Sequence, residues 1–184
     1  MTASLKYARI ERERRFLLDR VPPGLDVAHA RRIADRYIEG TRLRLRELRN
    51  TDGHTEYKLT QKIPARGSGG QRGFITTMYL SEDEFRALAV LPAKTLFKTR
   101  FSLAPFGIDV FEGDLNGLVL AEAEFESEEA VESLAIPSSR WREVSDDERF
   151  TGGELVSVSR EDLRASVAEY AISLCGTTID PSVP

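Results

Sequence analysis

Several stretches of the chain place ionisable side chains at every second position, and each stretch carries nearly one sign of charge. Arg42, Arg44 and Arg46 alternate with Leu43 and Leu45, and Lys58, Thr60 and Lys62 with Tyr57, Leu59 and Ile63. Lys98, Arg100 and Ser102 oppose Phe97, Phe101 and Leu103, while Glu122 and Glu124 oppose Val119, Ala121, Ala123 and Phe125. The run Glu11-Arg-Glu-Arg-Arg15 has no apolar position on either face, so both faces need polar surroundings or charge partners. The bases Arg15, Arg42, Arg44, Arg46, Lys58, Lys62, Lys98 and Arg100, with the acids Glu11, Glu13, Asp109, Glu122 and Glu124, suit a polyanion accompanied by divalent cations. Arg presents a bidentate fork to phosphate oxygens and Lys a point charge. Clustered carboxylates bind Mg²⁺ or Mn²⁺, hard ions that prefer oxygen ligands, and a metal-bound water could attack phosphorus.

The period of two is that of half-buried strands. An antiparallel sheet with one face in water would account for alternation, but such a face usually mixes both signs with Thr, Ser and Gln along each strand. A closed barrel with a charged lumen supplies the polar setting for one face of every strand. Around these strands the sequence predicts a few helices. Asp26 would cap one over 27–36, Ser81-Glu-Asp-Glu84 is a capping box ahead of Phe85 and Leu88, and a shorter helix follows Ser127. Ser159 opens a last helix whose Leu163, Val167, Tyr170, Ala171 and Leu174 recur as one buried stripe.

Composition narrows the function classes. Of 184 residues, 26 are Lys or Arg and 30 are Asp or Glu, for a net charge of −4. This argues against a basic nucleic-acid arm, and no sequence-specific nucleic-acid partner is expected. With Cys175 alone and only His29 and His54, neither a disulfide framework nor a multi-histidine or thiolate metal site can be built. No signal-peptide core or membrane-length apolar run is present, so a cytoplasmic protein without a membrane partner is expected. The glycine cluster Arg66-Gly-Ser-Gly-Gly-Gln-Arg-Gly73 lacks P-loop order and reads as a hairpin loop. A single domain over 1–175 with a loose, flexible tail over 176–184 follows, and a homodimer is compatible with these features without being demanded by them.

In order along the chain, these residues resemble the CYTH superfamily, the triphosphate tunnel metalloenzymes. Ile10-Glu-Arg-Glu-Arg-Arg-Phe16 is similar to the opening Glu-x-Glu-x-Lys strand, Arg42-Leu-Arg-Leu-Arg46 to the Arg-x-Arg strand, and Lys58-Leu-Thr-Gln-Lys62 to the Leu-Thr-x-Lys strand. Lys98-Thr-Arg100, Asp109-Val-Phe-Glu-Gly113 and Gly117-Leu-Val-Leu-Ala-Glu-Ala-Glu124 resemble the Lys-x-Arg, Asp-x-Phe-x-Gly and Gly-Leu-x-x-Ala-Glu-x-Glu segments, and Trp141-Arg-Glu-Val144 the one that follows.

The resemblance implies an α+β fold built on an eight-stranded antiparallel β-barrel, a triphosphate tunnel with a few flanking helices. It implies hydrolysis of inorganic triphosphate or a small organic triphosphate with Mg²⁺ or Mn²⁺, inorganic polyphosphate being a further partner. Glu11, Glu13 and Arg15 would be catalytic. Metal would be held by Glu11, Glu13 and Glu124, with Asp109 and Glu122 beside them, and phosphate by Arg42, Arg44, Arg46, Lys58, Lys62, Lys98 and Arg100. Two departures stand out: Arg15 replaces the motif lysine and cannot exchange a proton near neutrality, and Gly73-Phe-Ile-Thr-Thr-Met-Tyr-Leu80 lacks the acids of the middle strand, leaving Thr76 or Thr77 where a carboxylate is expected. The alternatives are a binding tunnel that retains a nucleotide or polyphosphate without turnover and, by family analogy, an adenylate cyclase.

Overall fold

The computed structural model describes residues 6–64 and 71–174. Its strands are β1 (Arg9–Leu17), β2 (Asp26–Ile38), β3 (Leu43–Asn50), β4 (Thr55–Pro64), β5 (Gln71–Leu80), β6 (Ala93–Leu103), β7 (Phe106–Phe111), β8 (Val119–Glu124) and β9 (Arg142–Glu143). The helices are α1 (Glu82–Ala89), α2 (Glu128–Ser133), α3 (Gly152–Leu155) and α4 (Arg160–Ala168). Strands run in the order β5-β4-β3-β2-β6-β7-β8-β1, and β1 pairs back to β5, so eight antiparallel strands close into a barrel with β9 added outside β1.

The pairing register determines which side chains share the lumen. Glu13, Arg15 and Leu17 lie opposite Glu124, Glu122 and Leu120, and Lys98 and Arg100 opposite Phe111 and Asp109. Asp35 and Tyr37 face Arg46 and Arg44. Each inward row therefore changes from charged to apolar along the barrel. At the apolar end Leu17, Leu96, Phe111 and Leu120 join Val144, Phe150, Leu155, Leu163, Val167 and Ile172 in one core, so the C-terminal segment plugs that end. Burial of a Leu or Phe side chain contributes roughly 1.5–3 kcal/mol, which makes the plug an integral part of the fold. Outward residues Phe16, Phe101, Phe106, Ile108, Val110 and Ala121 form a second core with Leu134 and Trp141, and α1 covers β3 to β5 with Phe85 against Tyr57, ring centroids 4.6 Å apart.

The capping box at Ser81 and Glu84 is present, and Ser127 and Ser159 cap α2 and α4. The helix expected over 27–36 is instead strand β2, bonded to β3 on one side and β6 on the other. Its Ala and Arg residues favour helix locally, but two flanking ladders override that weak preference. The final stripe is also corrected. Leu163 and Val167 are buried on α4, but Ala171 is exposed with φ +57° and terminates the helix. Ile172 N–H donates to Val167 O at 3.2 Å and Ala171 N–H to Ala168 O at 2.9 Å, a left-handed stop in which Ile172 takes the buried place. The loop over 65–70, Cys175 and the tail over 176–184 lie outside the described residues.

Candidate active site

A cavity of about 820 Å³ opens at the charged end of the lumen. Of the residues expected at a site, it is lined by Glu11, Glu13, Arg15, Arg42, Arg44, Arg46, Lys62, Lys98, Arg100, Glu122 and Glu124. Two expected residues stand elsewhere. Lys58 is opposite Arg46 in register, but its Nζ turns to Glu56 at 3.0 Å and sits 4.9 Å from the Tyr79 ring centroid. Asp109 is fully buried behind the wall, with Lys98 Nζ at 2.5 Å and Arg100 Nε and Nη2 at 2.6 Å each. It serves these cations as a counter-ion and does not line the cavity.

The acidic wall comes from β1 and β8. Arg15 is buried between Glu13 and Glu122, its Nη2 on the first and its Nε 3.1 Å from the second, while its backbone N–H donates to Ser145 Oγ at 2.9 Å. Lys62 Nζ reaches Glu11 at 2.5 Å. Arg100 also donates to Glu122. Burial pushes the Glu122 carboxyl up, but Lys98, Arg100 and Arg15 together overcome it and hold the group well below the usual range. At Glu13 burial prevails over Arg15, helped by Glu122 and Glu11, and the carboxyl is raised. Burial also lowers the Lys98 ammonium, against the pull of Asp109.

The basic wall contains two residues that the sequence reading does not single out, Asp35 because it falls within the helix expected over 27–36 and Tyr37 because it stands just past it and carries no charge. Asp35, 1% exposed, accepts from Arg46 Nε and Nη2 at 2.6 Å each. Burial opposes its ionisation, but Arg46 and Arg44 hold its pKa far below the ordinary value. Tyr37 lines the cavity beside Arg44, and burial followed by the Asp35 charge pushes its hydroxyl up to about 12. The plug adds Ser145, Asp146, Glu148, Thr151 and Glu154 to the lining. No chemical pattern in the sequence marks these last residues; only closure of the barrel end brings them in.

Among the described residues no three His, Cys, Asp or Glu side chains converge to hold a metal ion. The donor chemistry of Glu11, Glu13 and Glu124 nevertheless fits an oxygen-ligated divalent cation. All three line one wall, and Glu13 and Glu124 are register partners. The middle strand contributes no carboxylate to this wall. Register puts Gly73 opposite Glu11, Ile75 opposite Lys62 and Thr77 opposite Thr60, so the inward positions are Gly73, Ile75 and Thr77, and Thr76 points outward.

A barrel whose lumen holds facing acidic and basic walls has a relative of known activity. The inorganic triphosphatase of Nitrosomonas europaea is 32% identical over 146 residues, 76% of this chain and 92% of that protein. The chain belongs to the family of that inorganic triphosphatase. Crystal structures of NE1496 agree. One, of the inorganic triphosphatase, has a TM-score of 0.53 at 29% identity and covers 82% of this chain and 97% of that one. Another, of the same protein described as hypothetical, has a TM-score of 0.52 at 30% identity and covers 81% and 99%. No family model matches the sequence. No helix among the described residues is long and apolar enough to cross a membrane.

Proposed function

We propose that this chain is a metal-dependent hydrolase of inorganic triphosphate or a small organic triphosphate, a tunnel enzyme of the CYTH type. The observation that carries the reading is the cavity itself, in which Arg42, Arg44, Arg46, Lys62, Lys98 and Arg100 face the carboxylates of Glu11, Glu13 and Glu124. The cations bind and orient the phosphate chain. Arg forks engage its oxygens in pairs, and Lys98, whose ammonium is destabilised by burial, gains a further anionic neighbour when substrate enters. Arg15 holds Glu13 and Glu122 in place from within the wall. Glu11, Glu13 and Glu124 would hold Mg²⁺ or Mn²⁺, which when bound would neutralise phosphate oxygens and supply an acidified water. The plug segment closes the apolar end and keeps bulk water from that side.

Phosphate release from inorganic triphosphate, with ATP in parallel and with Mg²⁺, Mn²⁺ or chelator, tests the proposal. Release that needs metal supports it, and no release under any metal overturns it. A second reading, a tunnel that retains polyphosphate without turnover, is favoured by Arg15 and by an inward row of Gly73, Ile75 and Thr77 without a carboxylate. Tight binding of triphosphate without release would select it.

A further inference from the structure

Gly152, the first residue of α3, lines the cavity from the plug. A Cβ built on it would lie 2.0 Å from Tyr37 Oη and 3.1 Å from Tyr37 Cζ. Its φ is outside the left-handed region, so the backbone would accept any residue and only the tyrosine requires glycine. Tyr37 and Arg44 are register partners on β2 and β3, both line the cavity, and the Tyr37 hydroxyl is close enough to raise the Arg44 pKa. Arg44 is otherwise weakly held. Its Nε is buried without a hydrogen-bond acceptor and lies 3.5 Å from Asp35 Oδ1, whereas Arg46 makes two bonds of 2.6 Å to that carboxylate. A buried donor left open costs free energy unless a ligand meets it, and this one belongs to a guanidinium on the cavity wall.

We propose that Gly152 is a positioning residue for the anion site: its missing side chain seats the Tyr37 hydroxyl beneath the plug, and Tyr37 in turn aims the Arg44 guanidinium, with donors to spare, into the cavity. The inference rests on the triphosphate reading for the identity of the anion but not for the side-chain arrangement. A side chain at 152 drives the Tyr37 hydroxyl off its seat and takes Arg44 with it. Without the hydroxyl the remaining contact is with the ring edge, which can yield by tenths of an ångström.

The test compares wild type, Gly152→Ala, Tyr37→Phe and the double variant by calorimetric titration with inorganic tripolyphosphate, alongside the Arg44 Nε–H resonance assigned through Arg44→Lys. Gly152→Ala should weaken tripolyphosphate binding by about tenfold or more, the scale of one charge-assisted hydrogen bond, and shift the Arg44 resonance. In the Tyr37→Phe background the same alanine should change neither. Wild-type binding and an unmoved resonance in Gly152→Ala would overturn the proposal, as would an equal effect of the alanine in both backgrounds. If the wild type itself binds no tripolyphosphate, the triphosphate reading fails, and the resonance alone then decides whether Gly152 sets Arg44.

Discussion

Asp109 and Arg100 face each other across β6 and β7, and the guanidinium Nε and Nη2 each lie 2.6 Å from the Asp109 carboxylate, which also takes Lys98 Nζ at 2.5 Å. One fully buried acid thus supports two cations of the cavity wall. Asp109→Asn keeps the volume and removes the charge, leaving Lys98 and Arg100 short of a counter-ion. Breaking such a buried pair costs roughly 3–5 kcal/mol. The expected result is a large drop in the urea midpoint at neutral pH, equal in chelator and in Mg²⁺. A drop seen only with metal present would instead make Asp109 a ligand.

Glu13→Gln separates fold from turnover. Arg15 retains Glu122 as a partner, so the variant should fold, while the acidic wall loses the carboxylate between Glu11 and Glu124. Loss of one group dedicated to the reacting charges lowers the rate by about 10²–10³-fold. Phosphate release from inorganic triphosphate should fall on that scale while the circular dichroism spectrum is retained. Full activity in this variant would remove Glu13 from the site.

Lys62→Ala addresses the basic side at a member whose side chain is 42% exposed and bonded to Glu11. The change should raise the apparent KM for triphosphate and lower stability by no more than about 1 kcal/mol, because the lysine end of the pair is solvated. Steady-state kinetics and a thermal melt check it together. A marked fall in melting temperature with unchanged KM would assign Lys62 to structure alone.

The strands that carry charge in alternation were legible because the lumen imposes its polarity on every second residue, as at Arg44 and Arg46 or Glu122 and Glu124. What alternation cannot show is which partner each charge meets. Asp109 and Glu122 have the same period-two signature, yet one is sealed behind Lys98 and Arg100 and the other lines the cavity. The Ala-Arg composition of β2 suits a helix and only the ladders to β3 and β6 decide otherwise, which hides Asp35, while Tyr37, just past the expected helix, carries no charge to mark it. The plug residues 145–154 reach the cavity through packing of Phe150 and Leu155 into the barrel end, a long-range event with no local pattern.

Ala171 gives a stability test away from the site. Held at φ +57° where α4 stops, it occupies the position that glycine usually takes. An L-residue there costs roughly 1–2 kcal/mol of backbone strain, partly offset by the greater freedom of glycine in the unfolded chain. Ala171→Gly is expected to stabilise by about 0.5–1 kcal/mol, read as a higher urea midpoint with unchanged slope and unchanged triphosphate hydrolysis. A lower midpoint would place the end of the helix elsewhere.

Tyr37 should make stability fall at alkaline pH. Its hydroxyl is raised to about 12 in the folded protein by burial and the Asp35 charge, against about 10 in an unfolded chain. Below pH 10 both states are protonated and the group has no effect on the slope. Between 10 and 12 the folded state keeps a proton that the unfolded state has released, so unfolding becomes easier as pH rises, by roughly 2–3 kcal/mol across the window. Tyr37→Phe has no proton to lose. Urea midpoints of the two proteins measured from pH 8 to 11.5 should therefore differ by a constant up to pH 10 and then move in favour of the phenylalanine variant. Parallel curves over the whole range would mean that the hydroxyl is solvated in the folded state, and the seat between Gly152 and Arg44 would be lost with it.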